Sequence, residues 1–386
     1  MNKNYDFLKR IIRKVSNILF FRKKLFHTRK SQKMWGNYFD KREQLLDQFV
    51  KQIPDEYNDY SHVNSDLSTL LHIFFKSNNF TLSDLSKMIA GKIIYNRTGI
   101  TPDGFQQLLI KAYCRSNGLF QDIFHEFMYK DYQAKIDSSN VKSEIFGEVT
   151  IIELEEIIDK IKNEGYVILP KKVSQEKVNR IKKWAKSIKY DVVDYDDKRH
   201  LIDNLDFSNP GCVTANALEE DLEKNNDILS LIYDPVIIAI ISKYLGMEKL
   251  SLIHLCMWWT FKSEKDFASS EAAQLYHYDL DHIKWLKVFF YLTDVGEEQG
   301  PHVYIPSSHI AGNKNYKLLE KNYGRVKDSE MDAIQNVKPK KVLGSAGSII
   351  IGDTKCYHKG TPVVSGARLV LQPTFGPSNL LKNIKN

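Results

Sequence analysis

Between residues 250 and 376 the chain strings together short runs rich in β-branched and aromatic residues: 250–261, 274–279, 285–295, 302–306, 348–352 and 368–375. Turn chemistry separates them, as in Gly-Glu-Glu-Gln-Gly-Pro at 296–301 and Gly-Ser-Ala-Gly at 344–347. Many short strands without alternating helices predict an antiparallel sandwich or barrel, not a doubly wound parallel sheet. The chain has neither G-x-G-x-x-G nor G-x-x-x-x-G-K-[ST], which agrees with that.

Upstream the pattern is helical, so the fold class is α+β. Thr150 and Glu153 form a capping box that opens a helix ending near Gly165. A strand is expected over 166–169 and a second helix over 174–188. A loop then leads to a helix over 235–245. In 35–148 the helical signals include Ser65 and Asp66 as caps, Thr101-Pro102-Asp103 as a helix start and Asn117-Gly118 as its stop. His72 and His125 stand alone on helices and read as structural. The polar stretch 137–143 suggests a boundary. The division is a basic arm 1–34, a helical region 35–148 and a β-rich body 149–386; a length of 386 residues suits more than one small domain.

The net charge of +7 is concentrated in the arm. Residues 1–34 hold eleven Lys or Arg and one Asp, a local +10, which leaves −3 on the rest. The body therefore lacks the electrostatic footprint of a nucleic-acid-binding domain, and no nucleic-acid partner is expected. Within the arm, Leu8, Ile11, Ile12, Val15, Ile18 and Leu19 recur at helical spacing, with Lys9, Arg10, Arg13 and Lys14 between them. Such a helix suits an anionic membrane surface, docking on its own protein, or a nucleic acid or protein partner, and the pattern leaves these open. Its uncharged run is too short for a secretory signal. Four scattered cysteines without a C-x-x-C pair favour a reducing compartment, so a cytoplasmic location, at most peripheral at a membrane, is expected. With 42% hydrophobic and 27% charged residues the chain is globular, and no apolar run is long enough to span a bilayer.

The chemistry-bearing residues lie in the β-rich region. His277-Tyr278-Asp279 is the chain's one H-x-D; on a strand, residues i and i+2 share a face, so both side chains could reach one metal. His358 follows the run at 348–352, and Arg368 comes ten residues later. Two histidines and a carboxylate on one face of Fe(II) leave positions open for a 2-oxo acid and dioxygen. A buried guanidinium fork matches the acid's distal carboxylate.

The run Gln274-Leu-Tyr-His-Tyr-Asp-Leu-Asp-His282, then Tyr291-Leu-Thr-Asp-Val295, then Gly300-Pro-His-Val-Tyr-Ile-Pro-Ser-Ser-His309 resembles the phytanoyl-CoA dioxygenase family. So do Gly347-Ser-Ile-Ile-Ile-Gly-Asp-Thr-Lys-Cys-Tyr-His-Lys-Gly360 and Gly366-Ala-Arg-Leu-Val-Leu371. The resemblance covers about 150–376. It implies a double-stranded β-helix (jelly-roll, cupin-like) core and an Fe(II)- and 2-oxoglutarate-dependent dioxygenase. It places His277, Asp279 and His358 on the metal ligands and Arg368 on the anchor for the co-substrate's C5 carboxylate. One departure stands out: the family often has a small hydroxyl residue where this chain has Gly360, with Thr361 as the nearest substitute. Halogenating relatives replace the carboxylate ligand by a small residue; with Asp279 kept, hydroxylation of a small-molecule or lipid-linked substrate is the expectation.

Around the triad, Gln274 opens the strand and is a candidate contact for co-substrate or substrate. Asp281 is in phase with the triad. His282 is expected at the surface or behind the ligands, His302 and His309 as structural, Lys284 and Lys287 as solvated, and Trp258 and Thr260 in the core or lining the pocket. The rival readings are a cupin-like protein that binds metal or sugar without redox turnover, and a membrane-peripheral scaffold with an inert barrel.

Overall fold

The computed structural model describes residues 140–380 apart from 196–197, 263–273, 316–323 and 335–336; before 140 it describes Tyr95, 100–101, 103–118 and five positions between 121 and 129. The arm 1–34, the cap signals at 65–66 and His72 lie outside the described residues. So does Pro102. The first helix described in full, α1 (Phe105–Ser116), takes Gly104 in the left-handed region as its N-cap, and Asn117 closes it with φ 50°. Phe105, Leu109 and Ala112 belong to the same apolar cluster as the β-rich body.

Next come a hairpin, β1 (Val141–Ser143) and β2 (Gly147–Val149), and helix α2 (Ile151–Glu164). The capping box forms as expected: the Glu153 backbone N–H donates to the Thr150 hydroxyl while the Glu153 carboxylate accepts from the Thr150 N–H at 2.8 Å. Gly165 ends α2 at φ 88°, a conformation in which a side chain would also collide with Cys356 and His309. Strand β3 (Tyr166–Ile168) and helix α3 (Gln175–Ala185), capped by Ser174, follow.

The expected loop before residue 235 is not one. It holds β4 (Tyr190–Asp194), β5 (Arg199–Ile202), β6 (Cys212–Ala217), and helices α4 (Glu219–Leu222) and α5 (Asn226–Ile232). The strands escape recognition because β4 and β5 form a charged sheet edge, where Arg199 pairs with Asp191 at 2.5 Å and masks the apolar alternation. Helix α6 (Pro235–Leu245) has Asp234 as its cap and proline in its first turn. The remaining elements are β7 (Ser251–Phe261), β8 (Leu286–Tyr291), β9 (His302–Tyr304), helix α7 (Asp328–Ile334), β10 (Lys340–Val342), β11 (Ile349–Gly352), β12 (His358–Gly360) and β13 (Ala367–Gly376). Of the expected strand 274–279, only Tyr276 and His277 pair, in isolated bridges to Val326 and His358.

Among the described residues all strand pairs are antiparallel, so the fold is a mixed α/β one with antiparallel sheets. Eight strands form the large sheet in the order β3-β11-β8-β13-β7-β6-β4-β5, and three form a small one, β10-β9-β12. The bridges at His277 and Tyr276 add two more segments to the small sheet beyond β12. Strand alternation divides the large sheet's two faces. Leu369, Leu371, Phe290, Ile349 and Trp259 pack with the helices in the main apolar cluster. Val370, Phe289, Tyr291 and Ile350 face the other way, in a second cluster with Tyr304 and Val342 of the small sheet. Gly352 lets the sheets approach: a side chain there would lie 2.8 Å from the Tyr304 hydroxyl. Among the described residues no single helix is long and apolar enough to cross a membrane.

Candidate metal centre

Between the two sheets, the cross-strand register sets Tyr304 opposite His358, and His358 opposite His277. Residues opposite each other share a face, so this row of side chains meets the inner face of the large sheet. The His277 and His358 rings lie 4.3 Å apart, and Tyr304 stacks on His358 at 5.6 Å. Asp279 completes the cluster: its Oδ1 is 3.9 Å from His277 Nε2 and its Oδ2 is 3.4 Å from His358 Nε2. One ligand atom from each of the three residues falls within 4.8 Å of the others, the one such group among the described residues.

The donor set is prepared as well as gathered. His277 Nδ1 lies 2.9 Å from the Leu275 carbonyl, and His358 Nδ1 lies 2.9 Å from the Cys356 carbonyl. A carbonyl can only accept, so both Nδ1 atoms carry the proton and both Nε2 atoms present lone pairs toward Asp279. Burial lowers the proton affinity of both rings, His277 to a pKa of about 3, with the neighbouring His358 adding to the effect. Neutral imidazoles beside an ionised carboxylate are what a divalent cation needs.

Lys287 corrects an expectation. It is 9% exposed, not solvated, and its Nζ lies 2.7 Å from Asp279 and 2.7 Å from Asp281. Burial pushes the Asp279 carboxyl upward, but Lys287 and the two histidines outweigh it and hold the group well below the usual carboxylate range. Burial pushes Lys287 down, and the two carboxylates more than reverse this. The ammonium therefore occupies one oxygen of Asp279 and ties Asp281 into the site. Lys284 is no free cation either: its Nζ sits 5.2 Å above the Tyr244 ring, and burial lowers its pKa.

Arg368 enters from β13, paired across the sheet with Thr260 of β7. It is 4% exposed, and Nη2 donates to the Thr260 hydroxyl at 3.3 Å. Nε and Nη1 have no partner. Among the described residues no carboxylate answers this buried guanidinium, and burial depresses its pKa. A buried cation with two orphaned donors is costly unless an anion arrives. The two free donors of Arg368 fit a carboxylate. Thr361 does not fill the role left by Gly360, because its hydroxyl donates to the Pro301 carbonyl at 2.9 Å. Thr260 is better placed: accepting from Arg368, it keeps its own proton free to donate.

The other histidines divide as follows. His282 is fully buried, not at the surface, with Nε2 3.3 Å from the Ser378 hydroxyl. His309 sits between the Lys162 carbonyl and Cys356, and His125 reaches the Leu245 carbonyl. His302 Nδ1 meets the Tyr291 hydroxyl at 3.0 Å, and that hydroxyl donates to the Val342 carbonyl. Gln274 is half-buried, at the start of the described segment that leads to His277.

The profile of the phytanoyl-CoA dioxygenase (PhyH) family matches residues 161–369, a little over half the chain. The chain belongs to this family. No curated protein matches it in sequence. Among solved structures, the epimerase SnoN in complex with Fe3+, alpha ketoglutarate and nogalamycin RO is 16% identical, covering 58% of this chain and 83% of its own at a TM-score of 0.43. HygX from Streptomyces hygroscopicus with nickel and 2-oxoglutarate bound is 15% identical, covering 57% and 86% at 0.41. As a family member the chain offers one triad and one unanswered guanidinium, and those two features define its centre.

Proposed function

We propose that this protein is an Fe(II)- and 2-oxoglutarate-dependent dioxygenase that hydroxylates a small-molecule or lipid-linked substrate. The observation that carries the reading is the pairing of a neutral His277/His358 donor set around Asp279 with the unanswered cation Arg368 between the same two sheets. The family match and the antiparallel sheet pair support a double-stranded β-helix as its core.

His277, Asp279 and His358 would hold the iron, and the donor chemistry fits: two Nε2 lone pairs and one carboxylate oxygen, with the second oxygen on Lys287. Iron held there would supply dioxygen activation, coupled to oxidation of 2-oxoglutarate to succinate and carbon dioxide, with the second oxygen atom going to a substrate C–H bond. The chain's own residues do the rest. Arg368 anchors the distal carboxylate through its two free donors, Thr260 adds a hydroxyl, and Gln274 is a further co-substrate contact. Val370, Phe289 and Tyr291 keep that end of the site dry. His277 and Asp279 side chains remain 16% and 13% exposed, which leaves the other end open to substrate. The arm 1–34 is a candidate for bringing the enzyme to an anionic, lipid-bearing surface.

The test is succinate formation. Purified protein with Fe(II), 2-oxoglutarate and air is expected to form succinate, and Arg368→Ala to require at least about tenfold more 2-oxoglutarate. Tight metal binding with no succinate under any substrate would favour the non-redox reading instead.

A further inference from the structure

Behind the metal centre, on the opposite face of the same backbone, the structure holds a buried ammonium. Lys314 is 3% exposed, and its Nζ donates to the carbonyls of Ser308 and, at 2.6 Å, Lys355. It faces three tyrosine rings at 5.1–5.5 Å: Tyr113, Tyr278 and Tyr357. Burial drives its pKa down to about 7, while the carbonyls and ring faces favour the charged form.

Two of those tyrosines are chain neighbours of the ligands. Tyr278 lies between His277 and Asp279, and Tyr357 immediately precedes His358, so each points away from the metal side of its segment. The third, Tyr113, comes from α1, outside the family-matched span, and packs on Tyr278 at 5.3 Å. Helix α1 also holds the loop that carries Lys314: Gly312 N–H donates to the Asn117 carbonyl at 3.0 Å, and Asn117 Nδ2 donates to the Lys314 carbonyl at 2.9 Å. The Ser308 hydroxyl accepts from the Tyr357 N–H at 2.8 Å, closing the frame. One side chain therefore links α1, the turn after β9 and both ligand-bearing segments.

We propose that Lys314 is a positioning residue for the metal centre, and that it makes α1 part of the frame that holds His277, Asp279 and His358 in register. The inference rests on the metal-centre reading above. Ligand atoms gathered within a few ångströms from two separate segments can be lost through a small shift of either one. A cage that pins the reverse face of both segments fixes them without touching the metal.

The measurement is Mn(II) affinity and the Mn(II) electron paramagnetic resonance spectrum of the full chain. Lys314→Met is compared with Ile240→Ala in the helix-side core, whose loss is expected to lower Tm comparably. The expected result is Mn(II) binding weakened about tenfold with an altered spectrum in Lys314→Met, and wild-type affinity in Ile240→Ala. Wild-type affinity and spectrum in Lys314→Met, or an equal loss in both variants, would overturn the proposal. If Lys314→Met does not fold, Tyr113→Leu carries the same comparison. Wild type that binds no Mn(II) would overturn the metal-centre reading itself, a separate failure.

Discussion

Consecutive residues of β13 do opposite work. Leu369 and Leu371 look toward the helices and sit in the main apolar cluster, while Arg368 and Val370 look toward the small sheet. The same division runs through β8, where Phe290 and Val288 face the helices and Lys287 and Tyr291 face the cleft. A strand's period of two lets one segment supply stability on one face and chemistry on the other. The two faces should therefore fail differently when mutated.

The largest effect is expected on the cleft side: His358→Ala should weaken Mn(II) or Fe(II) binding by more than about 100-fold, because it removes a ligand outright and not merely its support. Calorimetric metal titration measures it, and Tm should change little. On the helix side, Leu371→Ala should cost about 3 kcal/mol in denaturant unfolding and leave metal affinity unchanged. If both variants lose both properties together, the two faces are not separable.

Lys287 sharpens the comparison, since it is a buried charge on the cleft face. Lys287→Met should destabilise the metal-free protein by about 3 kcal/mol, because Asp279 is left without its cation. A divalent metal supplies the missing charge, so thermal unfolding with and without Mn(II) should show a larger metal-induced gain in the variant than in wild type.

Acid should act through buried histidines outside the triad. Burial holds His125 down at about 3 and His302 and His309 below 6.5, so each stays neutral in the fold while the unfolded chain takes up protons. The stability they contribute is present above pH 6.5 and is lost as pH falls below it, by about 1 kcal/mol per group per pH unit. Stability rising from pH 6.5 to 5 would contradict this. The smallest effects separate two threonines: Thr260→Val should weaken 2-oxoglutarate binding by about 1 kcal/mol, and Thr361→Val should barely change it.

The proposed binding residues are more legible in the sequence than the residues that hold them. His277, Asp279, His358 and Arg368 stand at spacings and in motifs visible in one dimension, and so does the capping box at Thr150. Lys287 was not visible, because its burial comes from cross-strand partners far along the chain, Gly352 and Thr374. Lys314 was hidden for the same reason, its cage being assembled from residues 113, 278 and 357. Strands β4 and β5 were obscured by edge charges whose ion pairs exist only after pairing. Register, not composition, decides these cases.

The central claim is that the triad and Arg368 together hold iron and 2-oxoglutarate. Anaerobic titration of the metal-free protein with Fe(II) and 2-oxoglutarate, followed by visible absorption, tests it most directly. A metal-to-ligand charge-transfer band is expected in wild type, absent in Asp279→Ala and, in Arg368→Ala, reached only at about tenfold higher 2-oxoglutarate. A wild-type protein that binds no Fe(II) and develops no band would contradict the account.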